Sequence, residues 1–564
     1  MNEWVSPSVQ SISVTQTTRT VKFWSTYNNP ATGTLQGRVA AGTGIADCTG
    51  GSLLGTSSAT TTSLILAFGA GVTPQANFSL CYPDAGEMRL DARYDGASSN
   101  TPNDNGVVIL GNDIFIAAPA SFSFSSIACN TVSATSCAAA NVTGNNPAAA
   151  NASGAAFIQA GQPFRATVTA LSALGAATPN FGSETTPETI TLQALSNASP
   201  CPPLSSCLIA PGAGASGNLA GIFTLAGVGT GAVATTGATW DEVGIIQLRA
   251  GNTSYLGSAL NVYGLSGNVG RFIPAHFDAI PDATTPVANR TDLCDVDGLL
   301  VADGVTPCLW PAYTYMGERM DTQFTLVAQA LGNTTTQNYT GLFAKLNPIA
   351  TNATLAFGAV DTLVPTYLTA RLNTSLITST GSGSFNLGVA DVVAPISFTR
   401  GAAEDGPYTS LNIGIAPVDS DGVTTIFDLD TDATAGDDRT LIGSTGVRYG
   451  RARINNAHGS ELLALALPIV AQYWNGTSFI TSADDHLSVF SIGLGNYRIN
   501  LNAGETTLTL PTIANGAGSI RLSAPGTGNN GSVDVTATSP PYLPGNTGRA
   551  TFGVYRGSNL YLST

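Results

Sequence analysis

Apolar and polar residues alternate with period two along much of the chain. Val9–Ser25 (VQSISVTQTTRTVKFWS), Glu188–Leu195 (ETITLQAL), Gly244–Ala250 (GIIQLRA), Ala353–Ala359 (ATLAFGA) and Asn496–Asn502 (NYRINLN) all show it. This is the pattern of half-buried strands. Clusters of Gly, Asn, Pro and Asp recur between them and mark turns. Gly459–Pro468 (GSELLALALP) fits a short helix and a strand equally well. The pattern predicts an all-β protein of several tandem β-sandwich modules, at least two of them immunoglobulin-like.

One internal repeat sharpens this division. Ala160–Phe181 (AGQPFRATVTALSALGAATPNF) and Met316–Tyr339 (MGERMDTQFTLVAQALGNTTTQNY) each run glycine, alternating strand, Ala-Leu-Gly, a Thr-containing turn, then Asn-aromatic. Gly161 aligns with Gly317, Gly175 with Gly332 and Phe181 with Tyr339. Two immunoglobulin-like modules are therefore expected to begin near Ser121 and Pro281, giving modules over 1–120, 121–280, 281–410 and 411–564. Ser266–Asp282 (SGNVGRFIPAHFDAIPD) then falls between modules. Its prolines fix φ and stiffen a connection. Arg271, Phe272, His276, Phe277 and Asp278 are read as a packed interdomain joint, with Arg271 able to pair with Asp278. A catalytic reading of His276 lacks a partner constellation, since His458 and His486 lie far along the chain.

Composition narrows the function classes. Of 564 residues, 43% are hydrophobic and only 10% charged, which excludes intrinsic disorder. The net charge of −15 and the absence of Lys/Arg clusters exclude nucleic acid as a partner. No apolar run is long enough to span a membrane. No Walker, HExxH, GxSxG or dinucleotide motif is present. The eight cysteines fall into four close couples, none of them CxxC. They read as disulfides formed in an oxidising compartment. The expected pairing is Cys48–Cys81, Cys129–Cys137, Cys201–Cys207 and Cys294–Cys308, one of many possible connectivities, chosen because each couple flanks a turn-rich loop. The opening MNEWVSPSVQ is not a secretory signal, so Met1 is expected to begin an excised fragment or to replace a removed upstream region.

A family resemblance follows from an ordered set of motifs. Cys81–Gly96 (CYPDAGEMRLDARYDG), Asn146–Phe164, Gly270–Asp278 (GRFIPAHFD), Tyr313–Glu318 (YTYMGE), Asn338–Leu346 (NYTGLFAKL), Arg448–Phe479 and Gly548–Gly557 (GRATFGVYRG) occur in the order seen in the large C-terminal region of MshQ-type proteins, which the chain resembles along nearly its whole length. Those proteins are named for biogenesis of the mannose-sensitive haemagglutinin type IV pilus. The resemblance implies an extracellular or cell-surface, pilus-associated protein whose partners are pilus or other surface proteins, or glycans. It supplies no catalytic residues. Such proteins often carry an upstream lectin-like domain, which the resemblance does not lead one to expect within these residues. At Ala483–Val489 (ADDHLSV) the resemblance leads one to expect a cysteine after the acidic pair, and His486 stands in that neighbourhood.

Acidic turns raise a metal question. Asp419 and Asp421 (PVDSDG), with Asp428, Asp430 and Asp432 (FDLDTDATAGDD), could supply several oxygens to Ca²⁺, or could form a solvated loop with Asp-capped turns. The DxDxDG spacing is incomplete, so no EF-hand is expected. Tyr473 and Trp474 could stack on a sugar or could pack in a core. Glycoside hydrolysis needs two carboxyls across a cleft. Glu404/Asp405 and Asp484/Asp485 are neighbours that point to opposite faces of a strand, and the chain is expected not to be an enzyme. Two function classes remain: an adhesive or surface-binding module associated with pili, and a structural stalk that displays another domain. The cysteine argument has a direct check. Non-reducing peptide mapping should find every cysteine bridged within its own couple, and long-range bridges or free thiols would reject it.

Overall fold

A computed structural model describes residues 17–553 apart from 44, 46–47, 71–74, 102, 131–142, 197–216, 219–222, 226–230, 294–311, 347–351, 364–365, 378–383, 427–438 and 512. The described residues are almost entirely strand and turn. Contacts divide the chain into two compact units, one of residues 1–275 with 330–338, the other of residues 276–329 with 339–564.

The first unit contains two sandwiches. In the first, strands Thr62–Phe68, Thr17–Asn29, Gly86–Asp95 and Val108–Ala117 form one sheet, and Ser52–Leu53, Arg38–Ala41 and Phe78–Cys81 the other. Alternation sends Val21, Phe23, Leu66, Leu90 and Ala92 inward against Val39 and Leu54. Lys22, Arg89, Asp91, Arg93 and Asp95 line the opposite face of their strands and pair there as a charged ladder. In the second sandwich, Thr191–Ser196, Gly244–Asn252 and Val262–Phe272 pack on Ala232–Ala238, Phe164–Leu171 and Ser121–Cys129 around Phe157, Phe164, Trp240, Leu248 and Phe272.

The second unit has the same plan. Its first sandwich pairs His276–Pro281, Arg319–Gln329, Val389–Phe398 and Leu372–Asn373 in one sheet. The other sheet runs Tyr313–Tyr315, Thr440–Arg448, Tyr408–Ile415, Gly358–Asp361 and Thr366–Tyr367. The expected boundary at residue 410 therefore falls inside a strand. The acidic stretch after it connects two neighbouring strands of one sheet, so this sandwich extends to Arg448. The final sandwich buries Leu467, Ile469, Ala471, Ile520, Leu522, Val533, Val535, Ala550 and Phe552 between its two sheets.

Two local readings are resolved. Gly459–Pro468 turns into strand Leu465–Trp474, with Leu465, Leu467, Ile469 and Ala471 inward. Pro468 is tolerated because its carbonyl accepts Asn455 N (3.0 Å) just past the last ladder pair, Ile454–Ile469, so its missing N–H removes no ladder bond. Ala353–Ala359 differs from expectation. A helical turn over Asn352–Leu355 precedes strand Gly358–Asp361, and either conformation buries Leu355 and Phe357. The pattern is too short for its period to decide.

Cys48 and Cys81 are bonded, with Cα atoms 5.5 Å apart, and tie a loop to the strand Phe78–Cys81. Cys129 is also in a disulfide. Cys137, Cys201, Cys207, Cys294 and Cys308 lie outside the described residues. The Cys48–Cys81 bond closes a sequence separation of 33. In the chain-entropy picture it adds about 3–4 kcal/mol. Cys48→Ser with Cys81→Ser should therefore bring forward melting of the first sandwich. Calorimetry showing an unchanged profile would contradict this.

Candidate functional site at the module junctions

The most heavily built polar site joins the two sandwiches of the second unit. Arg290 follows strand Val287–Asn289 and takes a left-handed φ of 57°. Its side chain is 0% exposed. Nε donates to Glu318 Oε1 (2.9 Å), Nη1 to Asp485 Oδ1 (2.8 Å) and Nη2 to Ser488 Oγ (2.8 Å). Glu318 Oε2 accepts Tyr315 N (3.0 Å), and Asp485 Oδ2 accepts Tyr315 Oη (3.0 Å) and Ser488 Oγ (2.6 Å). The guanidinium lies 5.0 Å from the Tyr315 ring centroid, and Tyr542 stacks on Tyr315 from the other sandwich. Arginine suits such a place because its planar fork can meet several fixed acceptors at once.

Electrostatics distinguish the two carboxyls. Burial would push Asp485 up, but the Arg290 charge and donation by Ser488 overcome it and hold the carboxyl below its usual range. Burial pushes Glu318 up against the pull of Arg290. One cation between two buried carboxylates leaves an excess negative charge, and Glu318 is the group that bears this strain.

A second arginine supports the same junction. Arg448 forks onto Asp484 (2.6 and 2.8 Å), between the rings of Tyr313 (3.6 Å) and Tyr473 (4.3 Å). Asp484 and Asp485 thus serve different arginines. Tyr473, one of the aromatics considered for sugar stacking, packs on the final core and against Arg448. Trp474 packs edge-on against Phe479, 5.4 Å between centroids, and Phe479 in turn carries Arg451 at 3.6 Å.

In the first unit, each copy of the repeat turn is held by an acid, the buried Asp84 in one case and the half-buried Glu242 in the other. Asp84 Oδ1 accepts Asn180 N (3.0 Å), and Glu242 accepts the amides of Gln337 (2.9 Å) and Asn338 (3.0 Å). Asn180 and Asn338 are equivalent positions of the repeat. Gly161 (φ 80°) and Gly317 (φ 90°) open the two copies in a conformation that a side chain rarely adopts.

The remaining candidates take packing or turn roles. Arg271 is buried and donates from Nε to Gly154 O (2.8 Å), while Phe272 sits in the second core against Trp240. The division between compact units falls between Ala275 and His276. His276 shares a hydrogen bond with Gln329 (2.9 Å), Phe277 packs on Tyr339 and Phe385, and Asp278 pairs with Val327 in the strand ladder. Asp419 caps its own turn by accepting Asp421 N (2.8 Å) and Val423 N (2.9 Å), and its other oxygen accepts Tyr339 Oη (3.0 Å). Asp421 is buried beside it. Asp428, Asp430 and Asp432 lie outside the described residues. No helix among the described residues is long and apolar enough to cross a membrane.

Arg290 was not among the candidate residues, and neither Glu318 nor Asp485 was assigned a role. No local signal marks Arg290: it follows a three-residue strand, and its carboxylate partners lie 28 and 195 residues away.

Fold and junctions together define a tandem array of β-sandwich modules. The chain belongs to the DUF6701 family, a domain of unknown function: its first, Ig-like domain matches residues 11–112, its second 118–236, its third 242–445 and its fourth 448–561. No curated protein matches the chain. Among solved structures it is similar to the I-band fragment I67–I69 from titin (12% identity, 70% of this chain and 94% of that one, TM-score 0.21). It is also similar to the adhesin InvE of Yersinia pseudotuberculosis (15% identity, 43% of this chain and 57% of that one, TM-score 0.16).

Breaking a buried ion pair from one side costs about 3–5 kcal/mol. Arg290→Met should destabilise the second unit by this order in denaturant titration. Asp485 has a depressed folded pKa, so the stability it brings is present above its ordinary value of 3.8 and is lost as pH falls below it. The gap between the native chain and Asp485→Asn should be widest at neutral pH and narrow below that value. A gap independent of pH would contradict the pairing.

Proposed function

We propose that the chain is a structural spacer at the cell surface, resembling MshQ-type pilus-associated proteins, whose locked sandwiches hold another domain or partner away from the membrane. The observation carrying this reading is the fully buried Arg290 network, in which residues of both sandwiches of the second unit satisfy one guanidinium. Such a network resists rotation of one sandwich on the other. The aromatics considered for sugar stacking are engaged with arginine and phenylalanine neighbours, which favours the spacer over a glycan platform. The role proposed is structural and not catalytic. Disulfides suit a secreted or surface location, and pilus association rests on the sequence resemblance alone.

A surface-binding role has one observation in its favour. Val108, Leu110 and Ile114 project, more than half exposed, along one face of strand Val108–Ala117, which ends its sheet. Exposed apolar rows on edge strands can recruit a partner.

Calorimetry and binding assays on the full chain separate the two readings. For a spacer, the two sandwiches of the second unit melt in one transition that Arg290→Met splits into two, and glycan arrays and pilin pull-downs stay blank. Binding that Leu110→Asp or Trp474→Ala abolishes, with melting unchanged, would instead establish an adhesive surface.

A further inference from the structure

The acid that holds the first repeat turn has an oxygen left over. Asp84 is 3% exposed; its Oδ1 accepts the amides of Ala85 (2.8 Å) and Asn180 (3.0 Å), while its buried Oδ2 has no hydrogen-bond partner in the protein. Four residues past Asn180 stands Glu184, also 3% exposed. Its Oε1 accepts Tyr255 Oη (2.7 Å) and its Oε2 accepts Glu188 N (3.1 Å). Between them in sequence, Ser183 Oγ is buried and likewise unpartnered.

Among the described residues, no lysine or arginine pairs with either carboxylate. The two acids repel one another, and burial pushes both upward. An unmatched buried carboxylate is costly unless it is neutralised or gains a counter-charge. A shared proton would need the two within hydrogen-bonding reach, and Asp84 Oδ2 has no such neighbour. A cation bonded to oxygens at about 2.3–2.6 Å bridges groups that lie beyond hydrogen-bond range yet still feel each other's charge.

We propose that Asp84, whose buried Oδ2 is unpartnered, and Glu184, four residues past the amide that Asp84 holds, share a divalent cation on the first repeat turn, suited to Ca²⁺. Among the described residues no three His, Cys, Asp or Glu side chains converge, so such a site would have two carboxylates and take its other ligands from neutral oxygens. An all-oxygen set fits Ca²⁺ better than Zn²⁺, which favours nitrogen and sulfur, or Mg²⁺, which demands a near-ideal octahedron. The site is separate from the acidic segment 419–438 and independent of the spacer reading. Ion binding there would fasten the turn to the first sandwich, because Asp84 follows strand Phe78–Cys81 and Glu184 belongs to the turn.

Terbium(III) tests this on the full chain, since Tyr255 donates directly to Glu184 and can sensitise its luminescence. Saturable, tyrosine-sensitised emission is expected, displaced by Ca²⁺, and Ca²⁺ should raise the melting temperature by several degrees relative to chelator. Asp84→Asn keeps an oxygen for the two amides while removing the charge. It should lose the terbium signal and the calcium response of the first unit, as should Glu184→Gln if Asp84→Asn does not fold. Indifference of the native chain to calcium and chelator would overturn the proposal. Retention of the full response in both variants would overturn it as well, by assigning the response to another place such as Asp419–Asp438.

Discussion

A guanidinium with no exposure to water must have its donors met, and in this protein that single demand joins two sandwiches. Arg290 comes from one of them with Glu318, while Asp485 and Ser488 come from the other. Removal of any acceptor leaves a buried charge short of partners. The surrounding architecture serves this point. Arg290 holds a left-handed backbone conformation that is costly for a side chain of its size. Tyr315 offers its amide to Glu318 and its hydroxyl to Asp485, so one residue orients both acceptors of the arginine.

The choice of basic residue fits this use. Only Lys22 and Lys345 are lysines; every other basic residue among the 21 is an arginine. Beyond Arg290 and Arg448, Arg400 lies 3.5 Å from the Tyr449 ring centroid, Arg451 3.6 Å from Phe479, Arg249 4.1 Å from Tyr263 and Arg371 4.5 Å from Phe398. A flat, weakly hydrated cation can cover an aromatic face while its edge stays hydrogen-bonded; a lysine ammonium is more strongly hydrated and has no planar face to stack. A charge fraction of only 10% therefore does not mean that charge is unimportant here. Much of the positive charge works inside the packing.

The sandwiches were legible in the sequence because alternation is local. Gly244–Ala250 and Glu188–Leu195 carry the inward residues of their strands in plain order, and the repeat pattern marked two equivalent strands, Phe164–Leu171 and Arg319–Gln329. The junctions were not legible, because their partners are set by long-range register. Arg290 and Asp485 are 195 residues apart, and nothing near either one names the other. Asp419 is a local case instead. Its neighbours fit a cation loop or an Asp-capped turn, and two of its hydrogen bonds are to amides two and four residues ahead, as in the capped turn.

A junction between sandwiches could have been sealed with apolar side chains, which would contribute more stability for the same volume. Apolar contact is non-directional, however, and tolerates sliding and rotation of one sheet over another. A planar fork that must meet Glu318 on its own module and both Asp485 and Ser488 on the next is satisfied in a narrow range of orientations. The Asp84 clasp acts in the same way on the first repeat turn, fixing the Asn180 amide by a buried carboxylate that has few other ways to be satisfied. On this argument the Arg290 network sets the angle between the two sandwiches of the second unit, while their apolar cores supply the stability.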